Sequence, residues 1–407
     1  MSVQERFIRY VQINTQSDST SESIPTTQCQ LDLAQLLEKE MIIMGMSNVQ
    51  LTQKGYLYGE LPATSKNKCS TIGFIAHMDT SPDFSGANVS PRLVENYDGG
   101  IIELNSECYL DPNEFPRLLK QKGKDLIVTD GTTLLGADDK AGIAEIMEAC
   151  QYLLEHPEIP HGVVKVAFTV DEEVGRGADY FDVDGFGCDF AYTMDGGSIE
   201  LIADETFNAA AAQVVVRGVS IHPGSAKDKM IHAANIAMEF HHLLPRAARA
   251  ETTEGYEGFN HLLDIQGDVS ETEMNYILRN HDGAKLEKQK ELMLLARDLL
   301  NKRYGEGAVE VEIKDSYQNM KEVLKDQPKA VNIAKEALEK LNIIPEMEAV
   351  RGGTDGARLT FMGLPCPNLG TGGQNFHGPY EYCCVQEMEL ATQLILKIVE
   401  LVEGEER

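Results

Sequence analysis

Imidazole and carboxylate groups recur in five short stretches of this 407-residue chain: His77-Met78-Asp79, Ala137-Asp138-Asp139-Lys140, Asp171-Glu172-Glu173, Met194-Asp195-Gly196 and Asn375-Phe376-His377-Gly378. Each adjoins an apolar, strand-like run or a glycine-rich turn. Cysteine is missing from the set. Nitrogen with carboxylate oxygen is the donor mixture that zinc, manganese and cobalt all accept, and a bridging carboxylate lets two such ions share one site. The pattern points to a pair of closely spaced divalent cations and to hydrolysis.

Taken singly, each stretch has an ordinary explanation. A histidine at a strand end is commonly hydrogen-bonded to backbone. Carboxylates at a helix start are caps, which accounts for one aspartate of Asp138-Asp139 well and for two poorly. We expect Asp139 to be the bridge, with Lys140 balancing charge. Three consecutive acids on a surface are usually just solvated. Asp171-Glu172-Glu173, however, closes the buried run VVKVAFTV, so one glutamate can ligate while another takes a proton from an activated water. In His77-Met78-Asp79 the two polar side chains point the same way in extended chain. Asp79 can then hold the second ring nitrogen of His77 or steer the base.

The elements that must position these groups alternate. Helical periodicity covers Gln28–Met44 and closes at Gly45, strands follow at Tyr56–Leu61 and Thr71–Ala76, and Thr80–Thr129 reads as a polar excursion outside the core. Ala141–Leu154 is helical, and Val163–Val170 and Phe190–Met194 are strands, a rhythm that predicts an α/β layered domain with a mainly parallel sheet. From Phe207 the order changes to βαββαβ: Ala210–Arg217, Lys229–Leu244, Leu262–Val269, Met274–Arg279, Leu286–Tyr304 and Ala308–Lys314. That is the ferredoxin-like arrangement. Lys329–Leu341, Met347–Val350, Asp355–Met362 and Gln386–Val402 then resume the first rhythm. The expected organisation is a discontinuous domain, residues 1–206 and 321–407, with an inserted domain at 207–320.

Composition limits the partners. A net charge of −29 repels phosphate, which argues against nucleic acid and anionic membrane surfaces. No run approaches the roughly 20 apolar residues of a membrane span, and the first residues read as an amphipathic helix with Phe7, Tyr10 and Val11 on one face rather than as a signal peptide. Eight scattered cysteines without a CxxC pair fit free thiols in a reducing, cytoplasmic compartment. Both a monomer and a homodimer stay open.

Together HMDT, GADDKAG, TVDEEVGRG, MDGG and GQNFHGPYE resemble the cocatalytic zinc aminopeptidases of the M20 clan, over nearly the whole chain and with no departure at the motif positions. The resemblance implies a zinc-exopeptidase-like catalytic domain with a ferredoxin-like lid. It also implies two Zn2+ per subunit, with Co2+ or Mn2+ also acceptable, and removal of the N-terminal residue from tripeptides. One zinc would sit on His77 and Asp195, the other on Glu173 and His377, with Asp139 between them. Asp79 would orient, and Glu172 would be the general base. Arg351 resembles the family's grip on the substrate's terminal carboxylate, which suits its planar fork, and His222 resembles its oxyanion-stabilising lid histidine. The competing readings are an amidohydrolase for N-acyl amino acids and a metal-stabilised binding protein without turnover.

Overall fold

The structure, a computed structural model, describes residues 1–404; the last three residues of the acidic tail lie outside the described residues. The chain divides into two compact units. The first comprises Met1–Asp204, Glu322–Glu348 and Thr354 onward, and the second comprises Glu205–Lys321 with Ala349–Gly353.

The first unit is organised by an eight-stranded sheet in the order Ser47–Leu51, Leu57–Leu61, Val164–Thr169, Ile72–His77, Phe190–Gly196, Asn368–Gly370, Leu201–Glu205, Glu346–Ala349. Its four middle strands run parallel, while Ser47–Leu51 with Leu57–Leu61, Leu57–Leu61 with Val164–Thr169, and Asn368–Gly370 with Leu201–Glu205 pair antiparallel. Every residue of Ile72–His77 is buried, as the uninterrupted apolar run predicts for a strand covered on both faces. The register pairs Ile72 with Val164 and with Phe190, and His77 with Thr169. Three carboxyl ends are thereby level, and ligand sites of open α/β sheets gather at that edge.

Helices cover this sheet. Val3–Val11 starts with a capping box between Ser2 and Glu5 and buries Phe7, Tyr10 and Val11. Gln30–Met44 stops at Gly45, whose φ of 91° is the left-handed turn that glycine permits. Ala137–Glu155 lies almost wholly inside the core. The excursion after Thr80, expected as loop or hairpin outside the core, carries short strands and a small core of its own. Arg92–Val94 and Leu126–Val128 join Gly373–Gln374 and Tyr382–Cys384 in a small sheet, and Tyr97, Leu110, Leu118 and Val128 pack with Tyr382 in a separate core. Strands of two or three residues are too short to display alternation.

The second unit has an antiparallel sheet in the order Phe259–Gly267, Glu271–Asn280, Asn208–Arg217, Val309–Tyr317. Ala233–Leu243 and Gly283–Tyr304 supply Phe240, Met293 and Leu300 to a core completed by Val214, Met274 and Tyr276. This is the βαββαβ order, with alternate strand residues buried on one face. Among the described residues, no helix is long and apolar enough to cross a membrane.

Candidate metal centre

His77 ends its strand and is 2% exposed. Its Nδ1 lies 3.0 Å from the Asp79 carbonyl oxygen. A carbonyl only accepts, so Nδ1 carries the proton and Nε2 presents its lone pair toward Asp138 Oδ1 at 2.8 Å and Asp195 Oδ1 at 3.6 Å. A lone pair and two carboxylates facing one another need a proton or a cation between them. Burial works against a charged His77, but Asp138, Asp195 and Asp79 outweigh it and raise its pKa well above the usual value.

Asp79 is fully buried, and its two carboxylate oxygens accept the amides of Glu172 at 3.0 Å and Glu173 at 3.1 Å. Asp79 therefore holds the His77 ring through its carbonyl oxygen and the turn bearing the two glutamates through its carboxylate. That turn starts at Asp171, held at φ 61°. The Asp171 carboxylate accepts from the Thr26 amide and hydroxyl and from Gln30. Glu173 Oε2 is 2.9 Å from His377 Nε2, while Oε1 is buried with no hydrogen-bond partner. His377 sits on a tight loop with φ 66° and also faces Asp138 Oδ2 at 3.4 Å. Asp138 and Glu173 push the His377 pKa up to about 11.

The sequence suggested Asp139 for the bridging position; the geometry instead sets Asp138 between the two candidate groups. Asp138 is the one residue shared by the two groups that could each hold an ion, His77–Asp138–Asp195 and Asp138–Glu173–His377. The backbone explains the exchange: both aspartates leave helical geometry, Asp138 at φ −85°, ψ 103° and Asp139 at φ −122°, ψ 34°. Asp139 is spent on structure instead, its Oδ2 accepting the His77 amide at 3.1 Å. Burial opposes ionisation of Asp138, but the facing imidazoles of His377 and His77 outweigh it and hold its carboxyl below the usual range. The surrounding acids shift upward. Burial raises Asp195 to about 6 and Glu173 to about 8, and takes Glu172 and Asp139 well above their ordinary values.

Three buried groups near this edge escaped the sequence reading or were misjudged. Glu381 accepts the amides of Leu135, Gly136 and Asp138, and burial moves its pKa up to about 7 against the pull of those amides. It stands inside the GQNFHGPYE stretch, four residues after His377, and an acid leading into the apolar run YCCV was the available signal. Asp355 accepts from Thr169 Oγ1 at 2.9 Å. Lys140 does not answer the acids beside it: its Nζ donates to the Ile13 carbonyl at 2.7 Å, and burial lowers its pKa to about 7.

The remaining expected residues belong to the second unit. Arg351 donates through one terminal nitrogen to the carbonyls of Gly255 and Glu257, both at 2.7 Å, and through the other to Thr253. Its guanidinium also lies over the rings of Phe207 and Phe259. His222 is exposed and accepts the Gly224 amide through Nδ1 at 3.1 Å.

The donors suit a pair of divalent cations: two imidazoles, three carboxylates, one of them common to both groups, and an orphaned buried oxygen on Glu173. A second set of donors with no cation would leave that oxygen and the clustered charges uncompensated.

Comparison with known proteins gives the same direction. Peptidase T of Desulfitobacterium hafniense (strain Y51) is 56% identical over 402 residues, covering 98% of each chain. The crystal structure of aminopeptidase PepT from Bacillus cereus ATCC 10987 superposes with a TM-score of 0.77 at 26% identity, over 98% of both chains. A tripeptidase from Staphylococcus aureus gives 0.78 at 23% identity, over 99% of this chain and 98% of the other, a likeness of fold. Residues 130–401, which hold every motif described above except His77-Met78-Asp79, match Peptidase family M20/M25/M40, and the chain belongs to that family.

Proposed function

We infer that the protein is a metallo-aminopeptidase that removes the N-terminal residue from tripeptides. The observation that carries this reading is Asp138, shared between a His77–Asp195 pair and a Glu173–His377 pair beside a glutamate anchored on Asp79. The names of the relatives, Peptidase T and tripeptidase, support the substrate class. His77, Asp138 and Asp195 would hold one ion and Asp138, Glu173 and His377 the other, and Zn2+ suits these donors, as do Co2+ and Mn2+.

When bound, the ions supply Lewis acidity, which lowers the pKa of a water and polarises the scissile carbonyl. The chain's own residues do the rest. Asp79 keeps the His77 ring and the Glu172 turn in register, so that the Glu172 carboxylate takes the water's proton and returns it to the leaving amine. The remaining acids attract the substrate's free α-amino group. In the second unit, which acts as the lid in this reading, Arg351 binds the terminal carboxylate by exchanging its neutral carbonyl partners for a charged one. His222 is the lid's candidate donor to the oxyanion. Eight free thiols support a reducing, cytoplasmic setting.

The test is a metal analysis of purified protein followed by di-, tri- and tetra-alanine and an N-acetylated amino acid as substrates. Two ions per chain and fastest turnover of Ala-Ala-Ala are expected. Preference for the acylated substrate would move the assignment to an amidohydrolase.

A further inference from the structure

Glu381 is a buried carboxylate with three amide donors and no place in the reaction described above. Its Oε2 accepts from Leu135 at 2.7 Å and Gly136 at 2.9 Å, and its Oε1 from Asp138 at 3.1 Å. Leu135 and Gly136 lead into the Ala137–Glu155 helix and Asp138 lies in its first turn, where N–H groups have no intrahelical partner. Gly136, the N-cap residue at φ 83°, has no side chain to cap them. The cap comes from the other end of the sequence. Glu381 closes a turn back to Gly378, its amide donating to that carbonyl at 3.3 Å. Tyr382–Cys384 then pairs with Leu126–Val128. The two segments bearing Asp138 and His377 therefore meet at one side chain.

We propose that Glu381 is the positioning residue for the shared aspartate: its carboxylate ties the loop carrying Asp138 to the loop carrying His377 and so sets the separation of the two ion sites. A simple buried cap would need one amide. Three amides divided over two oxygens fix the orientation of the carboxylate as well as its place, and the bridging residue's own amide is one of them.

The proposal rests on the two-metal reading and is tested by competitive titration of Zn2+ against a chromophoric chelator. Wild type, Glu381→Gln and Glu381→Asp are compared, with circular dichroism of each metal-free protein. Gln offers one acceptor oxygen where two are used, and turns an N–H donor toward a backbone amide. Asp keeps the charge but is one methylene short. Both variants are expected to stay folded without metal, with zinc affinity lowered about 10- to 100-fold at both sites and the smaller loss in Glu381→Asp. Wild-type zinc affinity in Glu381→Gln overturns the proposal. If that variant does not fold, unchanged affinity in Glu381→Asp overturns it equally. A wild-type protein binding fewer than two zinc ions would instead sink the two-metal reading itself.

Discussion

The sharpest perturbation is a pair of single substitutions at adjacent positions, Asp138→Asn and Asp139→Asn. Asp138 places one oxygen 2.8 Å from His77 Nε2 and the other 3.4 Å from His377 Nε2, so it serves both groups with a single charge. Asparagine keeps the volume, loses the charge and turns one donor oxygen into a nitrogen that cannot ligate. Removing one partner from a buried charged cluster costs about 3–5 kcal/mol, and each 1.4 kcal/mol is tenfold. Affinity for both ions should therefore fall together, roughly a hundredfold to several-thousandfold. Asp139 accepts one backbone amide. Asparagine still accepts there, and the exchange of a charged for a neutral hydrogen bond costs about 1 kcal/mol of stability. Equilibrium dialysis with metal analysis, alongside thermal midpoints of the metal-free proteins, separates the two. Retention of two tightly held ions by Asp138→Asn, with their loss from Asp139→Asn, would refute the assignment of the bridge.

Glu172→Gln should keep both ions and lose about 100- to 10,000-fold in kcat, the usual worth of a general base; full activity with the metals in place would remove Glu172 from the reaction. Glu145 is fully buried with neither oxygen hydrogen-bonded, and burial raises its pKa well above the ordinary 4.5. The unfolded chain ionises near 4.5, so this group's stabilising contribution is complete below that pH and drains as pH rises toward the folded value. Glu145→Met should therefore gain about 1–3 kcal/mol at pH 8 and less at pH 5, read from chemical denaturation at the two pH values. Gly142→Ala should cost about 1–3 kcal/mol and disturb metal binding, because the added methyl would collide with the Met194 carbonyl and the Asp139 carboxylate; thermal unfolding at wild-type temperature would count against that packing.

What the sequence could disclose was set by the range of the signal. The mostly apolar eight-residue run before Asp171 and the run Ile72–Ala76 before His77 announce strand ends, and the two strands pair in level parallel register. The alternation in Val309–Tyr317 and the long amphipathic helix before it are local, so the βαββαβ order was readable. The choice between Asp138 and Asp139 was not. It depends on two residues leaving helical φ and ψ at the start of a helix, which hydrophobic periodicity does not register. Glu381 was hidden for a different reason. Its partners are three backbone amides near residue 136, and main-chain donors have no letter in a sequence. Arg351 presented only a residue type, while its present role depends on carbonyls from residues 253–257.

The sheet order has a consequence for biosynthesis. Asn368–Gly370 lies between Phe190–Gly196 and Leu201–Glu205, so the strand bearing Asp195 waits for a neighbour translated long after it. At about 5–20 residues per second a ribosome finishes the entire second unit during that wait. The nascent polypeptide thus exposes an open slot beside gathered acids until its closing stretch arrives with the missing strand, then His377, then Glu381. The Asp138–Glu173–His377 group and the Glu381 contact to Asp138 form only once that late segment has been made.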